Sequence, residues 1–292
     1  MRQERCRPKR RRRVFPIVLL ILLLLAGILL YDGNTRIVTS VYELSYKNLP
    51  ESFNGYRIVV LSDIHASVFG DNNKILINKV KEAKPDIIAI IGDLIDGYEK
   101  LPTEKQLEIA ETLVTNLTPI APVYYITGNH EWNSGAIRPL LAMLKEREVQ
   151  ILRNRYTLLE SGGETIILAG TDDPNGPADM KKPIEFVEEI FEAEGKGFIV
   201  MLEHRNNNLL LYDTLGVDLV ICGHAHGGLI RLPFTDGLMG PQRDWFPTYT
   251  SGIYTSGKTS MVVSRGLGNH TGIPRVFNNP HLVVVELKRG EI

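Results

Sequence analysis

Seven side chains that can bind a metal ion, and an eighth that can move a proton, stand at the ends of short apolar runs. Asp63 and His65 lie two apart beyond RIVVLSD (57–63), Asp93 closes DIIAIIGD (86–93), and Asn129 with His130 closes VYYITGNH (123–130). His204 ends FIVMLEH (198–204), and His224 and His226 follow the run DLVICG. An Asp-x-His pair can reach one side of a single ion, although by itself it also fits a turn-capping Asp beside an exposed His. The glycine before Asp93 permits the tight turn that brings its carboxylate to a strand end, where it can bridge two cations. Taken alone, Asp93 also fits a turn carboxylate and His204 a structural imidazole. Asn129 offers a neutral oxygen to a hard or borderline cation, and His130 beside it can stay off the metal and serve as acid or base. Gly223, Gly227 and Gly228 let the backbone around His224 and His226 approach closely and turn both rings inward. Five such strand ends in sequence order predict one constellation. Its mixture of Asp, Asn and His, with no Cys, suits Mn, Fe, Zn or similar ions and differs from the thiolate cages of structural zinc.

The elements that must position these groups are equally legible. Apolar strands, with TIILAGTDD (165–173) among them, alternate with stretches of helical periodicity at 73–83, 104–117 and 137–147. This predicts an α/β fold. Near-continuous apolar strands imply sheets covered on both faces, and in open α/β sheets the strand ends converge on one edge where loops build the site. After Leu229 the chain becomes rich in Gly, Pro and aromatics, then yields two more strand patterns at 260–266 and 281–287.

Composition is that of a globular protein, with 43% hydrophobic and 23% charged residues, which excludes a disordered chain. Residues 1–13 carry eight Arg or Lys and one Glu, so the formal net charge of -1 conceals an acidic body. That asymmetry argues against a nucleic-acid surface on the main domain and favours anionic lipid as partner of the tail. Val14 to Tyr31 follows, 18 residues without a charge, close to the length that crosses a bilayer. The expected organisation is a basic cytoplasmic tail (1–13), a transmembrane anchor (14–31), a linker and first strand (32–55) and one large domain (56–292). Positive charge on the N-terminal flank predicts a single-pass protein of the cell membrane with its large domain extracytoplasmic. No small-x-small cleavage site follows Leu30, which favours an uncleaved anchor over a signal peptide, and Arg12-Arg13-Val14-Phe15 resembles the twin-arginine export pattern. Cys6 and Cys222 would lie on opposite sides of the anchor, so no disulfide partner is expected.

The blocks Asp63-Ile-His65, Gly92-Asp93, Gly128-Asn129-His130, His204 and Gly223-His224-Ala225-His226 resemble the calcineurin-like metallophosphoesterases, over roughly residues 56–288. The resemblance implies a four-layer αββα sandwich and two divalent or trivalent ions. One would be held by Asp63, His65, Asp93 and His226, the other by Asp93, Asn129, His204 and His224, with Asp93 bridging. Purple acid phosphatases carry a tyrosine three residues after the bridging Asp, whereas this chain has Asp96, so a tyrosinate–iron site is not expected. The segments TDDP, GHAHGGLIRLP and SRGLGNHTGIPRVFNNP are similar to a membrane-associated branch that includes UDP-2,3-diacylglucosamine pyrophosphatases of lipid A synthesis and phosphodiesterases near cell walls. The family often has a proline two residues after the fifth-block histidine, and Arg205-Asn206 here imply a local loop change. The resemblance thus implies hydrolysis of a phosphodiester or pyrophosphate in a lipid-linked or nucleotide-sugar substrate, with His130 as catalytic acid. Asp172, Asp173, Arg265, Asn269, His270 and Arg275 are expected at the substrate rim. A non-catalytic metal-dependent binding module at the membrane is the competing reading, since fold alone does not establish turnover.

Overall fold

A computed structural model describes residues 11–97, 101–177, 181–232, 235–240, 243–269 and 272–290; His270 and residues 1–10 of the basic tail lie outside it. The apolar run forms α1 (Arg11–Thr35), which extends beyond the expected 14–31 at both ends. It closes when Asn34 Nδ2 and Thr35 Oγ1 donate to the carbonyls of Leu30 and Tyr31, each at 2.7 Å. β1 (Val38–Tyr46) follows almost at once.

The first half of the domain continues with β2 (Arg57–Leu61), α2 (Lys74–Ala83), β3 (Ile87–Ile91), α3 (Thr103–Leu117), β4 (Val123–Ile126), α4 (Asn129–Asn133), α5 (Ile137–Glu146) and β5 (Gln150–Ile151). The second half contains β6 (Arg155–Ser161), β7 (Glu164–Gly170), α6 (Pro183–Glu194), β8 (Ile199–Leu202), α7 (Leu209–Leu215), β9 (Leu219–Cys222), β10 (Gly252–Ser256), β11 (Thr259–Val263) and β12 (His281–Arg289). They make two six-stranded mixed sheets, ordered β1-β12-β2-β3-β4-β5 and β10-β11-β9-β8-β7-β6. β2, β3 and β4 are parallel in the first sheet, and β7, β8 and β9 in the second.

The period-2 alternation of a strand explains the continuous apolar runs. In β2, Ile58 and Val60 pack between the sheets with Leu168, Val200 and Ile221, while Val59 and Leu61 point to the other face and meet Val80 of α2 and Leu113 of α3. The second sheet repeats this, with Ile199 and Met201 of β8 turned outward onto Phe186 and Ile190 of α6 and Tyr212 of α7. The result is the four-layer αββα sandwich. The central strands of each sheet are buried on both faces while the edge strands β1, β6 and β10 are partly exposed, so polar side chains gather beyond the parallel strand ends, and the two sheets contribute loops to one cleft.

Candidate metal centre

Five of the seven ligand-type residues hold the left-handed backbone that side chains other than glycine rarely adopt: Asp63 (φ 50°), His65 (49°), Asp93 (51°), His224 (65°) and His226 (47°). Each such residue costs of order 1–3 kcal/mol and persists only where its surroundings fix it. Buried Glu131 supplies much of that constraint, accepting the N–H groups of Asp93 (2.9 Å), Leu94 (2.6 Å) and Gly128 (2.6 Å). The backbone of His65 donates to the Asp93 carbonyl at 2.9 Å, and that of His224 to Asp63 Oδ1 at 3.0 Å, which ties loops from the two sheets together. Gly92 and Gly128 are demanded by proximity. A Cβ at Gly92 would lie 2.7 Å from His204 Nδ1, and one at Gly128 would run into the Asp93 carboxylate.

The side chains converge on Asp93. His204 Nε2 stands 3.2 Å from Asp93 Oδ2 and 3.2 Å from Asn129 Oδ1, and His65 Nε2 lies 3.8 Å from Asp93 Oδ2. His226 Nε2 is 3.5 Å from Asp63 Oδ1 and 3.3 Å from His65 Nε2. His204 Nδ1 donates to the Ile91 carbonyl at 2.9 Å, which turns Nε2 toward the cluster, where it would be the ligating nitrogen once a cation displaces its proton. Two groups emerge, Asp63 with His65, Asp93 and His226, and Asp93 with His204 and His224. Within each, the donor atoms lie no more than 4.8 Å apart.

Charge fits a cation. Burial alone would raise the Asp93 carboxyl, but the imidazoles of His204, His65 and His130 outweigh it and hold Asp93 well below the usual carboxylate range. Burial would lower His204, yet Asp93 carries it up to about 10, so the carboxylates draw positive charge to this point. His224 is pushed down to about 3, by burial first and by His204 second; it stays neutral, and its buried Nε2 has no hydrogen-bond partner. An uncharged imidazole nitrogen without a partner beside an ionised carboxylate is what divalent-metal binding requires.

His130 occupies a different niche. Its Nδ1 is 3.1 Å from Asp96 Oδ1 and 2.9 Å from the Gly97 amide, the first contact serving a protonated nitrogen and the second a bare one. Its Nε2 faces the cleft 3.9 Å from Asp93 Oδ2. Burial lowers the imidazole, but Asp96, and then Asp93, raise it above its ordinary value. His65, Asp96 and His130 make a third close grouping. The sequence marked Asp96 only as the residue in place of a tyrosine and passed over Glu131 altogether. The signal for Glu131 was its position three residues after Gly128, where an N-terminal helix carboxylate can reach back.

The expected rim divides. Asp172 is buried and accepts from Thr127 Oγ1, from Trp132 Nε1 (3.1 Å) and from Arg153 Nε (2.7 Å), while the Arg153 guanidinium lies 4.7 Å over the Trp132 ring. Asp173, 1% exposed, clamps Arg205 through Nε (2.9 Å) and Nη2 (3.1 Å). Arg275 is 2% exposed and turned inward, donating to the carbonyls of Arg265 (3.0 Å), Gly268 (2.5 Å) and Asn278 (3.3 Å). All three are turned inward: Asp172 and Asp173 pair with groups from other elements, and Arg275 ties together the carbonyls of its own loop while its buried Nε has no hydrogen-bond partner. Asn269 Nδ2 donates to the Ile273 carbonyl at 2.6 Å, and Arg265 is partly buried against Gly227. Arg205 borders a cavity of about 300 Å³ with His224, Asp244 and Tyr249.

A buried Asp/His cluster between two helix-flanked sheets is a candidate divalent-metal centre. The calcineurin-like phosphoesterase family profile matches residues 56–228, and the chain belongs to that family. It is 29% identical over 256 residues to the metallophosphoesterase YkuE of Bacillus subtilis, covering 86% of each chain. It is 28% identical to a transmembrane protein with metallophosphoesterase domain of Danio rerio, across 85% of this chain and 56% of that one. The phosphodiesterase YaeI of Escherichia coli is 26% identical, with 80% and 82% covered. The helix Phe15–Thr35, together with relatives named as transmembrane proteins, supports a membrane protein.

Proposed function

We propose that this is a membrane-anchored phosphoesterase with two metal ions that cleaves a phosphodiester or pyrophosphate bond. The observation that carries it is the convergence of ligand-type groups from both sheets on one buried carboxylate, Asp93. Asp63, His65, Asp93 and His226 would hold one ion, and Asp93, Asn129, His204 and His224 the other, with Mn, Fe or Zn all compatible with the donors. Bound there, the ions would supply the charge that offsets the phosphoryl oxygens and acidify the attacking water. The protein does the rest. Water, its proton released to solvent, would add to phosphorus as the P–O bond to the leaving oxygen breaks, and His130, its Nδ1 on Asp96, gives the proton at Nε2 to that leaving oxygen, with no covalent enzyme intermediate. Arg205, fixed by Asp173, offers N–H donors at the cleft edge to a second phosphate or an acidic substituent.

The apolar helix favours a substrate in or near a membrane, such as a lipid-linked or nucleotide-sugar pyrophosphate of the UDP-2,3-diacylglucosamine type, with the domain extracytoplasmic and residues 32–35 tying it to the anchor. The test is metal content and hydrolysis of bis-p-nitrophenyl phosphate and UDP-2,3-diacylglucosamine by the full chain, chelated and then reloaded with Mn, Fe or Zn. Metal-dependent release from either substrate is expected. Two bound ions without release from any phosphoester would favour the binding-module reading instead.

A further inference from the structure

The last turn of α1 is bonded into the loop that supports the metal centre. Asn34 Oδ1 accepts from the Arg275 amide at 2.9 Å, and its Nδ2 donates back to the Arg275 carbonyl at 3.0 Å. Asn279 Nδ2 donates to the Asp32 carbonyl at 2.8 Å. Gly33 is packed so closely that a Cβ would lie 2.9 Å from the Arg275 carbonyl oxygen. Asp32 is the first charged residue after the apolar run. If the helix crosses a bilayer, whatever is hydrogen-bonded to residues 32–34 lies at the bilayer surface.

The same loop extends sideways as a narrow backbone ribbon. Val276 bridges to Ile230, Arg231 to Gly237, and Met239 to Trp245, with Leu238 N–H on the Ile230 carbonyl and Phe246 N–H on the Leu238 carbonyl. At one end, Asn278 Nδ2 donates to the carbonyls of His226 (2.7 Å) and Leu229 (3.0 Å); at the other, Asp244 and Tyr249 border the cavity beside His224 and Arg205. The ribbon therefore runs from the helix end to the mouth of the metal cleft. Its side chains are unlike those of an ordinary solvated loop: Phe277 is 48% exposed, Leu232 47%, Trp245 69% and Phe246 73%. Arg243 and Asp244, both exposed, precede Trp245 and offset each other's charge. Large exposed aromatic rings are the side chains that settle in the headgroup region of a bilayer.

We propose that this ribbon is a bilayer-contact surface, on which Phe277, Leu232, Trp245 and Phe246 enter the headgroup region and hold the mouth of the cleft against the membrane. The substrate class follows: phosphoesters presented by amphiphiles that remain in the bilayer while their phosphate is cleaved. This rests on the anchored-phosphoesterase reading above. Continuity with the helix end is what commits the occupant to lipid, since the ribbon begins one hydrogen bond from the residue that leaves the apolar run.

The test uses the full chain in vesicles of phosphatidylcholine and phosphatidylglycerol, part of the phosphatidylcholine being brominated near the headgroup end of its acyl chains. Tryptophan emission is compared with that in unbrominated vesicles. The chain has two tryptophans, and Trp132 is partly buried against Arg153, so the exposed Trp245 is the reporter. A quenched component is expected in the wild type and lost in W245F. In W245F/F277W a quenched component should return. Equal quenching in wild type and W245F, or none in either, overturns the proposal. Two controls separate this failure from failure of the reading beneath it: alkaline carbonate that strips the chain from the vesicles refutes the anchor, and absence of release from both bis-p-nitrophenyl phosphate and UDP-2,3-diacylglucosamine with each of Mn, Fe and Zn refutes the hydrolase. Retention and release without Trp245 quenching refute the contact surface alone.

Discussion

Replacing His130 with alanine separates proton transfer from metal binding. His130 Nε2 stands 3.9 Å from Asp93 Oδ2, while His204 Nε2 stands 3.2 Å from the same oxygen and belongs with the proposed ligand set. The variant should therefore keep its metal. A positioned general acid contributes about 10²–10⁴-fold, equivalent to roughly 3–5 kcal/mol of barrier. That loss applies where the leaving oxygen needs a proton, so a diester with an alkyl leaving group should show it in full. p-Nitrophenolate leaves without protonation, so the loss on bis-p-nitrophenyl phosphate should shrink to about tenfold or less. The assay is kcat on both substrates beside metal content by mass spectrometry, with His130→Gln as a variant of closer size. Equal losses on both substrates would refute the acid role. Loss of an ion would instead place His130 among the ligands, in the grouping with His65 and Asp96.

Gly128→Ala drives a methyl into the Asp93 carboxylate and to 2.7 Å from the Asp93 amide, so it should reduce metal affinity and cost about 1–3 kcal/mol, read by metal titration and Tm. Wild-type metal affinity in that variant would show that the loop can yield. His281 is buried and accepts from the Arg265 amide at 3.3 Å; burial, and then the charges of Arg265 and Arg275, lower it to about 2 from an ordinary 6.5. Below that ordinary value the unfolded chain takes up a proton that the folded chain refuses, so stability falls with pH at up to about 1.4 kcal/mol per unit. His281→Asn should flatten the fall in Tm between neutral pH and pH 5 relative to wild type, and parallel curves would exclude His281 as its source.

Strand-end chemistry was legible because an apolar strand can end in Asp, Asn or His only where the sheet edge offers those groups a use. Direction was not legible. Asp172 and Asp173 sit at such an end yet turn inward, because their partners Arg153, Trp132 and Arg205 come from other elements whose placement no local pattern reveals. Glu131 was hidden for a related reason: a glutamate in a short helix ordinarily reads as solvated, and only the folded loop brings four amides to it. The apolar runs disclosed that both sheet faces are covered but not which strands are neighbours. β1 was expected as a first strand after the linker, but not its partner: it pairs over its whole length with β12, from Val38 against His281 to Tyr46 against Arg289.

That pairing sets a timetable for synthesis. β12 lies between β1 and β2 in its sheet, so the strand that precedes Asp63 lacks one neighbour until residues 281–289 have left the ribosome. The intervening chain is a very long loop, and its closure entropy is met only when the far end arrives. Until then β1 and β2 present open edges while α1 is already available to the translocation machinery. A chain threaded across a membrane would complete this sheet on the far side, after release, and a chain moved already folded would have to finish it before departure. Pulse-chase proteolysis of nascent chains with and without residues 281–289 would show protection of β2 appearing only once those residues are present.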